Sequence, residues 1–281
     1  MTSGAPPPDS PVPVVMNAGP PPPGLPVPAP VAAQAGAERL RAVWANELGG
    51  ATFEVGTGDR RRFVKWAPAG SGIDLAAEAA RMAWAAAFTP VPRLLAHGAD
   101  DSGSWLVSSA LPGEMAVTDR WQERPRIAVT AIGEGLRAMH DALPAGRCPF
   151  SWSVAERLRE IRERATAGLL DPSCWHPDHQ GLSVEAALDL LADPPPVDEL
   201  VVCHGDSCAP NTLITDDGRC SGHVDLGALG VADRWADLAV ATWSTTWNYG
   251  PRWQIPLLDA YGIAPDPDRT HYYRLLWDLG P

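Results

Sequence analysis

Lysine is almost missing from this chain. Of its 22 Lys and Arg residues, 21 are arginine and one, Lys65, is lysine. Positive charge is scarce altogether: 34 Asp and Glu residues leave a formal net charge of −12, which argues against a nucleic-acid partner, because phosphate backbones select basic surfaces. No apolar run approaches the ~20 residues that span a bilayer. The five cysteines (Cys148, Cys174, Cys203, Cys208 and Cys220) are odd in number and show no Cys-x-x-Cys spacing. That fits reduced thiols in the cytoplasm better than a disulfide framework. The first basic residue is Arg39, so no secretory leader is read at the start.

What is present falls into three stretches. Twelve of the first 30 residues are proline, and residues 1–36 read as a disordered, partly polyproline-like tail. The 281 residues, 45% hydrophobic, suffice for two lobes sharing a cleft, residues 37–110 and residues 111–281. Charge divides unevenly. Residues 1–150 carry 14 acidic and 13 basic groups, a balance of −1, while residues 151–281 carry 20 and 9, a balance of −11. An acidic half would attract a cationic small molecule.

The most informative segment is His204-Gly205-Asp206 with Asn211 five residues on and Asp225 nineteen on, within Val224-Asp225-Leu226-Gly227. Kinase-type phosphoryl transfer needs this set: a carboxylate beside the attacking hydroxyl, then an amide and a second carboxylate to hold Mg²⁺ on ATP phosphates. Leu200–Cys203 reads as a buried strand that delivers Asp206 to a loop. Thr212–Thr215 and Cys220–Val224 read as strands around the turn Asp216-Asp217-Gly218, which sets Asn211 opposite Asp225. Both offer the hard oxygen ligands Mg²⁺ prefers.

Upstream, Lys65 sits in the alternating strand Arg62–Trp66, where a compact ammonium can reach nucleotide phosphates. Glu78, in the alanine-rich helix expected over Leu75–Phe88, is the carboxylate to pair with it. Gly49 and Gly50 are read as a turn covering the phosphates. Residues Ile127–Leu143 show helical spacing at Ile132, Leu136, Met139 and Leu143 and read as the central helix of the second lobe, with His140 as a packed core histidine.

Together with Gly230–Ala239, Phe63-Val64-Lys65, Glu78–Arg81, Leu111–Glu114, His179–Leu182 and Tyr273–Leu276, these segments resemble the aminoglycoside 3'-phosphotransferase family over about residues 40–281. The resemblance implies an α+β, two-lobed, protein-kinase-like fold, with a small β-sheet, nucleotide-binding N-lobe over residues 37–110 and a mainly helical, catalytic and acceptor-binding C-lobe over residues 111–281. It implies ATP and Mg²⁺, and an aminoglycoside whose 3'-hydroxyl takes the phosphate. On it Asp206 takes the catalytic-base position, Asn211 and Asp225 the metal positions, Lys65 and Glu78 the phosphate clamp, and Ser108 and Ala110 fall where the hinge backbone meets adenine. Asp237 braces the catalytic loop from the following helix.

The acceptor side departs from the family pattern. Asp171 and Asp178 are the main acids in the loop before His179, Asp278 is the acid near the end, and Trp247 lies where relatives often carry acidic residues. Tryptophan at 175, 243, 247 and 277 makes a more aromatic pocket. The acceptor is accordingly read as a small, hydroxylated, cationic molecule, with no nucleic acid or membrane as partner and a monomer or homodimer as the assembly. Two other readings stand beside the first: a kinase of this fold acting on another small hydroxylated metabolite, and a catalytically silent nucleotide-binding regulator.

Overall fold

The computed structural model describes residues 18–280. Among them the chain divides into two compact units, one comprising residues 18–112 with His223–Gly227, the other comprising Gly113–Gly222 with residues 228–280. The first is built on a six-stranded antiparallel sheet of β1 (Ala18–Gly19), β2 (Leu40–Asn46), β3 (Ala51–Val55), β4 (Arg62–Pro68), β5 (Leu94–Asp100) and β6 (Gly103–Ser109), in the order β1-β2-β3-β4-β6-β5. Period-two alternation sets the faces: Ala51, Phe53 and Val55 are buried, while Thr52 and Glu54 stay partly exposed. Helix α2 (Leu75–Ala85) starts where the Asp74 side chain accepts the Ala77 N–H, an N-cap that satisfies one of the unpaired donors of the first turn. Leu75, Glu78, Ala79 and Met82 then fall on one buried face, as three- and four-residue spacing requires.

The expected disordered tail over residues 1–36 needs correction. Residues 1–17 lie outside the described residues, but 18–36 contain β1 and helix α1 (Ala29–Ala35). Proline near the start of that helix costs nothing, since its missing N–H would be unpaired there anyway. Val31 and Ala35, four residues apart, are buried against Phe53, Val55, Val64 and Val107. Arg62 ties the segment down by donating to the Gln34 carbonyl at 2.8 Å and to Glu38 at 2.9 Å. Proline content hid a short apolar pair that the sheet needs as a cover.

The second unit is mainly helical. It contains β7 (Glu114–Met115), α3 (Asp119–Gln122), α4 (Pro125–Ala142), α5 (Val154–Thr166), α6 (Val184–Leu191), β8 (Leu200–Cys203), β9 (Thr212–Ile214), β10 (Cys220–His223), β11 (Gly230–Asp233), α7 (Trp235–Tyr249), α8 (Gln254–Tyr261) and α9 (Pro267–Leu279). The strands form a β10-β9-β7 sheet and an antiparallel β8–β11 pair. Helix α4 packs on α8 at Gly133, where a Cβ would sit 2.6 Å from the Leu257 carbonyl oxygen. The central helix is α7 rather than α4: 13 of its 15 residues are buried. Its Thr and Ser residues tolerate this because Thr242 and Thr245 donate back to carbonyls three or four residues earlier, an outlet for hydroxyls within a helix. No helix among the described residues is long and apolar enough to cross a membrane.

Candidate active site

In the helical unit the site begins where β8 ends. Val202, Cys203 and His204 are fully buried, and pairing with β11 fixes the strand. Gly205 then turns the chain with φ +85°, and a Cβ there would meet the Ala228 carbonyl oxygen at 2.4 Å. Only glycine satisfies both demands. The turn is held by Asp237 of α7, which is wholly buried and accepts the backbone N–H of His204 at 2.6 Å and of Gly205 at 2.9 Å. The Ser207 hydroxyl donates to the Asp237 carbonyl at 2.6 Å. On its other side the Asp237 carboxylate lies 2.9 Å from His140 Nε2, and His140 Nδ1 lies 2.9 Å from the Tyr261 hydroxyl. Burial alone would raise the Asp237 carboxyl, but the bonds and charges of His140 and His204 hold it below the usual carboxylate range. His140, Cys203 and Asp237 bring metal-ligand atoms within 4.8 Å of one another. Those atoms already serve hydrogen bonds, Cys203 Sγ to the Asp233 carbonyl among them, so the trio is a packed brace.

Asp206 and Asn211 meet directly. Asn211, at the end of a 3-10 turn over Ala209–Asn211, donates from Nδ2 to the Asp206 carbonyl at 2.9 Å and to Asp206 Oδ2 at 3.0 Å. One carboxylate oxygen is thereby fixed. The other, Oδ1, is buried and accepts no hydrogen bond, although the Cys208 thiol is close enough for burial and then the Asp206 charge to push that thiol well above its ordinary range.

In the sheet unit Lys65, Glu78 and Asp225 converge. Lys65 Nζ donates to Glu78 Oε1 at 2.6 Å and to Asp225 Oδ1 at 2.7 Å. Burial would lower the ammonium, and the two carboxylates overcome it and raise it. Asp225 adopts φ 65°, the one non-glycine residue among those described with positive φ, a conformation that costs energy and clusters at functional positions. Gly49 and Gly50 do sit in the β2–β3 turn, but not as open phosphate donors. The Gly49 N–H goes to the Asn46 carbonyl at 3.2 Å and the Gly50 N–H to Asn46 Oδ1 at 2.8 Å. Ser108 lies within β6 between β4 and β5. The Ala110 N–H, expected at the adenine edge, donates to the Arg61 carbonyl at 3.2 Å.

The four acceptor-side expectations fare differently. Asp171 is a turn cap whose side chain accepts the Ser173 N–H at 2.9 Å. Asp278 is a clasp: it accepts the His176 N–H at 2.9 Å and lies 2.7 Å from His179 Nδ1, with 9% of its side chain exposed. Both carboxylates already fasten the loop through these bonds, and Asp171 stays exposed. Asp178 is exposed beside His176. Trp247 is buried with Trp243, Val240 and Cys208, and the partly exposed Trp277 packs on them. The ring centroid of His176 lies 4.2 Å from that of Trp243.

These geometries carry the components of a phosphotransferase in both units, and comparison with known proteins agrees. The model of the phosphotransferase enzyme family matches residues 41–273. The chain belongs to that family. Curated relatives of this phosphotransferase include the aminoglycoside 3'-phosphotransferase of Streptomyces fradiae, 38% identical over 75% of this chain and 81% of that one. The streptomycin 3''-kinase of Streptomyces griseus is 36% identical over 83% and 89%. Among solved structures, an aminoglycoside 3'-phosphotransferase of type VIII superposes with a TM-score of 0.77 at 31% identity, covering 88% of this chain and 95% of that one. A Streptomyces rimosus aminoglycoside phosphotransferase bound to ADP and streptomycin gives 0.71 at 28%, covering 89% and 95%. The fold is therefore α+β and protein-kinase-like, with a β-sheet lobe and a helical lobe.

Proposed function

We propose that this phosphotransferase transfers the γ-phosphoryl group of ATP to a hydroxyl of an aminoglycoside, with the 3'-hydroxyl as the first position to examine, in antibiotic resistance or self-protection in the cytoplasm. Its five free cysteines accord with that compartment. The observation that carries the reading is the state of Asp206. One oxygen is pinned by Asn211 and the other is buried with no hydrogen bond, the arrangement of a carboxylate oriented to receive a substrate hydroxyl. In a loose phosphoryl-transfer transition state the proton leaves late, so orienting the hydroxyl matters more than basicity.

Lys65 binds phosphate oxygens in this reading, and Glu78 keeps its ammonium aimed. Asn211 commits its Nδ2 to Asp206 and so turns its amide oxygen the other way. The Asn211 amide oxygen and the Asp225 carboxylate are each the kind of hard oxygen ligand that Mg²⁺ prefers. When bound, that ion would neutralise charge on the phosphates. An adenine taking the Ala110 N–H would replace the 3.2 Å bond to Arg61.

A second reading, a kinase of this fold for another small hydroxylated metabolite, is favoured by one observation: Asp171 and Asp278 are engaged within the protein. An ADP-release screen across aminoglycosides and other polyols separates the two. Turnover of aminoglycosides supports the first; turnover confined to other polyols replaces it with the second.

A further inference from the structure

The brace behind the catalytic turn starts on α8, at Tyr261. Gly133 and His140 stand seven residues apart on α4 and so share a face of it. At Gly133 helix α8 comes so close that a Cβ would lie 2.6 Å from the Leu257 carbonyl oxygen and 3.1 Å from the Tyr261 backbone nitrogen. The Tyr261 ring lies edge-on to His140, with centroids 5.6 Å apart and planes at 73°. Its hydroxyl lies 2.9 Å from His140 Nδ1. Both residues are buried, which removes competition from bulk water.

The tautomer of His140 decides what this contact does. Burial would raise the Asp237 carboxyl, yet its contacts with His140 and His204 hold it low, so it offers acceptor oxygens only. Asp237 Oδ2 therefore asks for a proton on His140 Nε2, 2.9 Å away, and a neutral ring then has a bare Nδ1. Burial raises the Tyr261 phenol and keeps it protonated, so its O–H is the donor that Nδ1 needs. The same Asp237 oxygen accepts the His204 backbone N–H at 2.6 Å, while Oδ1 accepts that of Gly205 at 2.9 Å. Tyr261 thus reaches the turn before Asp206 through two side chains. Without its hydroxyl a ring protonated on Nδ1 is no longer penalised, and in that form Nε2 donates nothing to Asp237.

Resting on the reading of Asp206 as the residue that receives the substrate hydroxyl, we propose that Tyr261 is a positioning residue for phosphoryl transfer. By fixing the Nε2–H tautomer of His140 it holds Asp237, and with it the His204–Gly205 turn that aims Asp206. The test uses Tyr261→Phe, which keeps the ring and deletes the hydroxyl. Nitrogen-15 NMR should show a neutral His140 with its proton on Nε2 in the wild type and a mixture of tautomers in the variant. Relative to the amides of β8, those of His204 and Gly205 should exchange about tenfold faster in the variant, the scale of one hydrogen bond. With kanamycin as acceptor, kcat should fall about tenfold while the KM values for ATP and kanamycin stay at wild type. In a His140→Phe background Tyr261→Phe should lower kcat no further, because the two residues act in series. A wild-type ring protonated on Nδ1 or on both nitrogens would overturn the relay. So would exchange at His204 and Gly205 that keeps step with β8, or a kcat loss undiminished in the His140→Phe background. Full activity in Asp206→Asn would remove the Asp206 reading, and no transfer to kanamycin would count against the acceptor reading; in either case tautomer and exchange still decide the relay.

Discussion

At Asp206 the geometry makes a specific demand. Asn211 holds one carboxylate oxygen and the other has no hydrogen bond; with Asp206 as the proposed base, Asp206→Asn should lower kcat by about 10²–10⁴-fold, the range of general-base contributions, while ATP still binds. Rapid-quench kinetics with an independent nucleotide-binding titration checks both halves. Lys65 is held by two carboxylates at 2.6 and 2.7 Å, and a guanidinium cannot occupy that point-like position. Lys65→Arg should raise the KM for ATP even though charge is retained; a KM equal to wild type would remove Lys65 from phosphate binding. The Lys65–Glu78 and Asn211–Asp206 contacts are legible in sequence because motif spacing carries them and an arginine-only background isolates Lys65. The contacts of His176 and the clasp of Asp278 are not, since they depend on which loop a helix end reaches.

Among the elements, the turn after β8 and helix α7 act as one piece. Gly205→Ala forces a Cβ to within 2.4 Å of the Ala228 carbonyl oxygen at positive φ, a strain of about 1–3 kcal/mol that should displace Asp206. Activity is expected to fall further than thermal stability, which parallel kinetic and melting measurements would show. Asp237 ties α7 to the same turn. Its carboxyl lies below the ordinary range in the folded chain, against about 3.9 when unfolded. Its stabilisation is thus complete above that unfolded value and is lost as pH falls through the folded one. Urea unfolding from pH 7 down to about pH 3 should show this slope, and Asp237→Asn should flatten it while costing about 3 kcal/mol or more at neutral pH. The periodicity over Ile127–Leu143 did forecast α4. It could not show that α7 is the enclosed helix, because the Ser and Thr residues of α7 read as exposed until their hydroxyls are seen bonded to their own backbone. The proline-rich segment misled in the opposite direction: composition spoke for disorder, and the buried pair Val31 and Ala35 decided for order.

For the whole molecule, the net charge of −12 predicts a long-range attraction for a polycationic acceptor. Raising salt from about 0.05 to 0.5 M shortens the screening length to a few ångströms, so the acceptor KM should rise severalfold while kcat changes little; a salt-independent KM would assign recognition to short-range contacts alone. The sequence-level fold class matches the family and its solved relatives, since catalytic spacing travels with that architecture. Acceptor chemistry was less legible, because it depends on which carboxylates are already engaged within the protein. Phosphorus NMR of an aminoglycoside incubated with ATP, Mg²⁺ and enzyme decides whether phosphate moves from ATP to an aminoglycoside hydroxyl through Asp206. A new phosphomonoester resonance coupled to a ring proton is expected, absent with Asp206→Asn; ADP and free phosphate without that ester, or an ester formed equally by the variant, would rule this transfer out.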